Sequence, residues 1–190
     1  MSEVCRYPTV LTDWLARVPC MTAMVLGGWL IAFPLVAAPS VQVGFSPEGS
    51  AQRLVLTVID EARSRIQVMG YSFTSPEVAR ALIVAHRRGV DVRVVVDAKA
   101  NQNAAGRAAL NLLANADIPV RTVSAFPAAH DKVMVVDGQT TQTGSFNYSR
   151  MARRNSENVL VLRDMPEIAQ QYLAHWQSRW AQGKDWQPNY

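Results

Sequence analysis

Cysteine is almost missing from this chain of 190 residues: Cys5 and Cys20 are the only two, and none follows position 20. Residues 21–190 therefore carry no disulfide framework and no cysteine-ligated metal. Cys20 precedes the apolar run of the N-terminus, so it is not placed as a lipid-attachment cysteine. Histidine is scarce as well, with His86, His130 and His175 far apart in sequence. A metallophosphoesterase needs several Asp, Glu or His ligands at suitable spacing. Three scattered histidines do not make such a set, and neither a metal nor a cofactor is expected. Lysine is limited to Lys99, Lys132 and Lys184 among 19 basic residues. The other basic side chains are arginines, which suit bidentate contacts to phosphate.

Charge of either sign is absent between Arg17 and Glu48. Inside that gap, residues 21–38 form a dense apolar run, MTAMVLGGWLIAFPLVAA, which follows Arg6 and Arg17 and ends in Ala37, Ala38 and Ser40. This is the pattern of a signal peptide with a long n-region. Cleavage after Ser40 keeps small residues, Ala38 and Ser40, at both recognition positions, whereas cleavage after Ala38 places Pro39 first. The alternative is an uncleaved anchor, since about 20 apolar residues span a bilayer; Gly27, Gly28 and Pro34 weaken such a span. Either way, the rest of the chain is expected outside the cytoplasm, in the periplasm or secreted. Cleavage would leave no stable membrane association. The expected division is a leader over 1–40 and one folded domain over 41–190.

What is present suits such a domain. Apolar residues make up 49% and charged residues 18%, ordinary for a globular protein and against disorder. The net charge is +4, which leans towards an anionic partner. The first 40 residues hold two basic and two acidic side chains, so the rest keeps the whole +4.

Strand and helix patterns alternate from position 41. Strands are expected over 41–45, 66–73, 90–97 and 118–123, with helices over 49–64, 76–88 and 103–116 between them. Ser75 reads as an N-cap with Pro76 at the first helical position and Glu77 in the first turn, and Gly89 as the stop. The rhythm then changes. Residues 131–136 and 139–143 read as two strands about Asp137-Gly138, a strong hairpin dipeptide. Another strand follows over 158–162, then an amphipathic helix over 165–180. The early units predict parallel pairing, and the hairpin adds antiparallel strands. The expected fold is α/β, a mixed and largely parallel sheet sandwiched between helices on both faces.

The chemistry concentrates in His130-Asp131-Lys132, four residues, Asp137, six residues, then Gly144-Ser145-Phe146-Asn147. Side chains alternate along a strand, so His130 and Lys132 share one face while Asp131 and Asp137 have the opposite parity. Ser145 and Asn147, again two apart, share a face after the hairpin returns. Imidazole, ammonium, hydroxyl and amide without a carboxylate cluster point to phosphate handling. The cation and the donors hold phosphoryl oxygens, and imidazole attacks phosphorus or moves a proton near neutral pH.

This spacing, HDKVMVVD, GQTTQT, GSFN, resembles the HKD signature of the phospholipase D superfamily. Asn155 to Asn158 (NSEN) resembles the acidic element of that family. VQVGFSPEGS, YSFTSPE, RRGVDVRVVVD and HWQSRW are similar to its small single-motif bacterial nucleases, so the likeness covers about 41–190. The resemblance implies a metal-independent endonuclease, a hydrolase of DNA phosphodiesters with RNA as a further candidate substrate, without sequence preference. His130 would form a phosphohistidine, and Lys132, Ser145 and Asn147 would hold the phosphoryl oxygens. Glu157 would hydrogen-bond the far nitrogen of His130. Asp137 is expected to be structural, at the turn or in an ion pair, with Gly144 as part of the motif.

One motif supplies one histidine, and a nucleophile bonded to phosphorus cannot also protonate the leaving oxygen. A symmetric homodimer with two facing His130 side chains solves the shortage. Arg150, Arg153 and Arg154 read either as a solvated charge run or as a basic rim tracking nucleic-acid phosphates. His86 and His175 are expected at the surface or in packing, and Trp176, Trp180 and Trp186 in the core or an interface. Asp97 ends a buried strand near the crevice where such sheets bind ligands and is left out of the site. Two rivals stand: a lipid phosphodiesterase with the same core, and a catalytically idle nucleic-acid-binding module.

Overall fold

A computed structural model describes residues 38–188. The expected leader lies outside the described residues except for its last three positions. Among the described residues no helix is long and apolar enough to cross a membrane.

The elements run β1 (Ser40–Ser46), α1 (Ser50–Glu61), β2 (Arg65–Gly70), α2 (Pro76–Arg87), β3 (Asp91–Asp97), α3 (Ala104–Ala114), β4 (Val120–Val123), β5 (Lys132–Val136), β6 (Thr140–Gly144), β7 (Glu157–Arg163), α4 (Pro166–Gln182) and β8 (Lys184–Asp185). Local chemistry explains several boundaries. Ser75 Oγ accepts the Val78 N–H at 3.3 Å to cap α2, and Gly89, at φ 93°, ends the turn behind it. Asn103 caps α3 through the Gly106 N–H at 2.9 Å. Asp137 and Gly138 both have positive φ, 54° and 73°, and the Gln139 N–H reaches the Val136 carbonyl. That is the type I′ hairpin the dipeptide calls for.

The eight strands form one sheet in the order β1-β7-β6-β5-β2-β3-β4-β8. The mixed α/β architecture is the one expected. Parallel pairing is confined to β2–β3 and β3–β4, where the chain crosses over through α2 and α3. The remaining neighbours pair antiparallel, so the sheet is less parallel than the early βαβ rhythm predicts. The reason is connectivity: between β4 and α4 the only helix is a single 3₁₀ turn, Met151–Arg153, and short returns join β5, β6 and β7 antiparallel. The short β8 went unseen in the sequence. It pairs with β4, and Arg121 bonds Asp185 at 2.7 Å beside it.

Alternation along the strands builds two cores. Ile66, Val68, Val92, Val94, Val96, Met134 and Val136 face α1, α2 and α3, with Leu82, Ile59 and Leu110 packed on them. Met69, Val95, Val133 and Val135 face α4, meeting Ala169 and Trp176. Each such buried aliphatic side chain contributes about 1.5–3 kcal/mol. Trp176 stacks on Trp180 at 5.0 Å, and Trp186 packs on the first core. α4 packs on β6, β5, β2, β3 and β4, and β1 and β7 are not among its main neighbours.

Candidate active site

The strands bring the motif to one end of the sheet. Lys132 opens β5 and pairs with Gly70, the last residue of β2. Gly70 in turn pairs with Val96, next to Asp97 at the end of β3. β6 ends at Gly144, opposite Val159 of β7. The site thus sits at the carboxyl ends of the parallel strands, where open α/β sheets bind ligands.

Gly144 is indispensable to this arrangement. Its φ is 143°, and an added Cβ would lie 2.3 Å from the Asn158 carbonyl oxygen. Past it the chain turns so that the N–H groups of Ser145 and Phe146 both donate to that same oxygen, at 3.1 and 3.2 Å. Ser145 Oγ accepts from the Asn158 N–H at 3.0 Å and from Asn158 Nδ2 at 3.4 Å. Its lone pairs are thereby occupied and its O–H stays free to donate. Asn147 Oδ1 accepts a long contact from the Ser72 N–H, 3.5 Å, which leaves Nδ2 as a free donor. Tyr148 anchors this residue from behind. It is fully buried, its hydroxyl donates to Gln142 Oε1 at 2.7 Å, and its carbonyl accepts from Thr74 and Ser75. Burial raises the Tyr148 pKa well above the ordinary phenol value, so the ring stays neutral.

Lys132 is buried, yet its Nζ donates to the His130 carbonyl at 2.7 Å and has two further donors to offer. Burial lowers its pKa, and the Asp131 and Glu157 carboxylates oppose that shift. His130 lies just outside β5 and is exposed. Its imidazole nitrogens have no hydrogen-bond partner among the described residues. The ring is instead packed by Tyr71, centroid to centroid 4.5 Å at 56°, and the same Tyr71 ring stands 5.2 Å from Lys132 Nζ. Sequence reasoning missed Tyr71, although it opens the YSFTSPE stretch; nothing in a single sequence says that this aromatic folds back onto the histidine. Glu157, at the start of β7, accepts from Asn155 Nδ2 at 3.0 Å and acts on Lys132 through charge. No bond from it to His130 forms within the described residues of one chain.

Asp137 lies at the far end of β5. Its carboxylate accepts from the N–H groups of Arg63, Ser64 and Arg65 and from Ser64 Oγ, all at 2.8–2.9 Å. Burial by itself would raise its pKa; these hydrogen bonds outweigh that and hold the carboxyl below its usual value. Strand length, more than face parity, separates Asp137 from His130. Arg153 is engaged with Glu77 at 3.0 Å. Arg150 and Arg154 are exposed, and among the described residues neither guanidinium has an ion pair. His86 Nδ1 contacts the Val90 carbonyl at 3.3 Å. His175 does more than pack: its Nε2 meets Asp131 Oδ1 at 3.0 Å and ties α4 to the segment that enters β5. Among the described residues, no group of three or more His, Cys, Asp or Glu side chains converges to hold a metal ion.

An exposed imidazole, an ammonium, a hydroxyl and an amide at one end of the sheet, with donors to spare, are groups suited to holding a tetrahedral oxyanion. Comparison with known proteins agrees with that chemistry. Residues 55–180 match the family described as cardiolipin synthase, PLD-like domain. A phospholipase D of Rickettsia conorii is 33% identical over 136 residues, 71% of this chain and 66% of its own length. A mitochondrial cardiolipin hydrolase of Mus musculus is 34% identical over 134 residues, 70% of this chain and 59% of its own. The chain thus spans about two thirds or less of the length of these curated relatives. Among solved structures, the phospholipase D family member Nuc of Salmonella typhimurium superposes with TM-score 0.78 at 52% identity, covering 79% of this chain and 99% of Nuc. NucT of Helicobacter pylori shares the fold, with TM-score 0.67 at 21% identity over 78% of this chain and all of NucT.

Proposed function

The chain belongs to the phospholipase D-like family, and from that premise we propose that it is a phosphodiesterase that cleaves nucleic acid through a phosphohistidine. The observation that carries the reading is the exposed His130 imidazole, unpartnered among the described residues, at the same end of the sheet as Lys132, Ser145 and Asn147. His130 attacks phosphorus, the bond to the leaving oxygen breaks, and a second imidazole gives that oxygen its proton. The same imidazole then takes a proton from water, which attacks the phosphohistidine and frees His130. Lys132 Nζ, the Ser145 hydroxyl and the Asn147 amide hold the phosphoryl oxygens while negative charge builds. Every step runs without a metal ion.

The second imidazole comes from a second copy of the chain. His86 is occupied at the end of α2 and His175 by Asp131, so one chain supplies a single free imidazole. Support for that copy comes from the sheet edge formed by β1. Val41, Val43 and Phe45 of β1 are about half exposed, 53%, 53% and 52%, and pair with Leu162, Leu160 and Asn158 of β7. They lie on the sheet face opposite α1, which α4 leaves largely open. An apolar sheet face at the sheet edge is a surface for self-association. Phe45→Glu is expected to give a monomer in sedimentation and to lose cleavage.

Nucleic acid is favoured as substrate by the 52% identity to Nuc, covering 99% of that chain, and by the exposed Arg150 and Arg154 close behind the motif, neither of which has an ion pair among the described residues. The curated relatives named phospholipase D and cardiolipin hydrolase favour a lipid phosphodiester instead. The exported location remains part of this proposal, resting on the leader pattern. The deciding experiment sets plasmid DNA beside cardiolipin-containing vesicles, each in excess EDTA, with the parent protein and His130→Ala. DNA cleavage that persists in EDTA and vanishes in the variant is expected. Release of lipid product alone would move the substrate to lipid, and EDTA-sensitive cleavage would overturn the mechanism.

A further inference from the structure

Two buried polar residues behind the site have no part in the chemistry above. Asp97 is 3% exposed and Asn101 1%. Among the described residues no cation faces Asp97, and a carboxylate buried without one is costly unless hydrogen bonds satisfy it. Here they do: Oδ1 accepts the Ala100 N–H at 2.7 Å and Oδ2 accepts the Ala129 N–H at 2.8 Å. Asn101 commits both of its donors and one lone pair to backbone. Its Nδ2 donates to the Tyr71 carbonyl at 2.7 Å and to the Asp97 carbonyl at 2.8 Å, while its Oδ1 accepts the Phe73 N–H at 2.8 Å. α3 approaches so closely that a Cβ on Gly106 would stand 2.7 Å from the Asn101 carbonyl oxygen.

The segments these two residues grip are the ones that hold His130. Ala129 is the residue before it. Tyr71 supplies the ring packed against its imidazole, 4.5 Å away. The imidazole has no hydrogen bond of its own among the described residues, so its position depends on that backbone and that ring. We propose that Asp97 and Asn101 are positioning residues for His130, acting through the Ala129 peptide and the Tyr71 ring; this rests on the phosphodiesterase reading of the same site. Misplacing a reacting group by about 1 Å costs about 10²-fold in rate, which is the scale expected when either grip is lost.

The test combines steady-state kinetics on bis(4-nitrophenyl) phosphate with nuclear-spin relaxation of the imidazole carbons. The His130 signal is assigned by its loss in His130→Ala. Asn101→Ala is expected to lower kcat about 10²-fold with KM within about twofold, and to loosen the His130 ring. Tyr71→Ala, at a partly exposed position, is expected to do likewise, and the double variant is expected to be no worse than the poorer single one. Should Asn101→Ala fail to fold, Asn101→Ser, which keeps a hydroxyl in the cavity, replaces it. An unchanged kcat in the folded variant, losses that multiply in the double variant, or an unaltered His130 ring would each overturn the proposal. If the parent cleaves no phosphodiester, the phosphodiesterase reading falls, and ring order alone then decides the positioning role.

Discussion

The two ends of β5 carry the two halves of one motif, and they are built in opposite ways. At the Asp137 end each carboxylate oxygen is spoken for, with four donors from Arg63, Ser64 and Arg65 around it. At the Lys132 end the polar groups are left with capacity to spare: two ammonium donors, the Ser145 hydroxyl, the Asn147 amide and both imidazole nitrogens. Saturated polar groups tie chain segments together, and unsaturated ones wait for a ligand. The contrast separates residues that hold the sheet from residues proposed to act on phosphate, although all belong to one short stretch of sequence.

Lys132→Met should break the contrast most sharply. Losing a fixed cation at the developing charge is expected to cost about 10²–10³-fold in kcat. Stability in urea should stay level or rise, because burying that ammonium is itself unfavourable. A loss of stability in parallel with activity would show that Lys132 is structural after all.

Asp137→Asn should do the reverse, lowering unfolding free energy by about 2 kcal/mol at pH 7 with kcat within about twofold. The folded carboxyl titrates below its usual value. Its contribution is therefore complete above the unfolded-state pKa, about 3.9, and fades as pH falls through the folded one. Denaturant melts of parent and variant should converge at acid pH, and a gap that persists there would place the stabilisation elsewhere.

Ser145→Ala removes one neutral donor and should cost about tenfold in kcat, the worth of a hydrogen bond of about 1.4 kcal/mol. Glu157→Gln should have the smallest effect at neutral pH. It removes a carboxylate that supports the charged form of Lys132, so the Lys132 pKa drops further. The basic limb of the kcat profile, where Lys132 loses its proton, should then move to lower pH. A limb that stays in place would remove Glu157 from the electrostatics of the site.

Much of the fold was legible from local rules. The Ser75 cap, the Asp137-Gly138 turn and the period-two strands each rest on a few neighbouring residues, and each lies close to where the sequence placed it. One boundary moved and one strand went unseen for non-local reasons. The strand expected over 66–73 stops at Gly70, because Thr74 and Ser75 turn to bond the Tyr148 carbonyl. β8 exists only because Arg121 and β4 lie alongside it, and Lys184 and Asp185 carry no strand pattern of their own.

The spacing of His130, Lys132, Asp137, Gly144, Ser145 and Asn147 was complete in the sequence, because a strand, a two-residue turn and a second strand convert spacing directly into position. That conversion is local, and it carried the resemblance to the family and the proposed phosphate chemistry. Which aromatic packs on the imidazole, which buried side chains hang it in place and which sheet face α4 leaves open are matters of contact between distant segments. Tyr71 meets His130, and Asp97 and Asn101 reach the Ala129 and Tyr71 backbone, only because β2, β3 and β5 lie side by side with their ends in register, and that register is decided by the packed sheet.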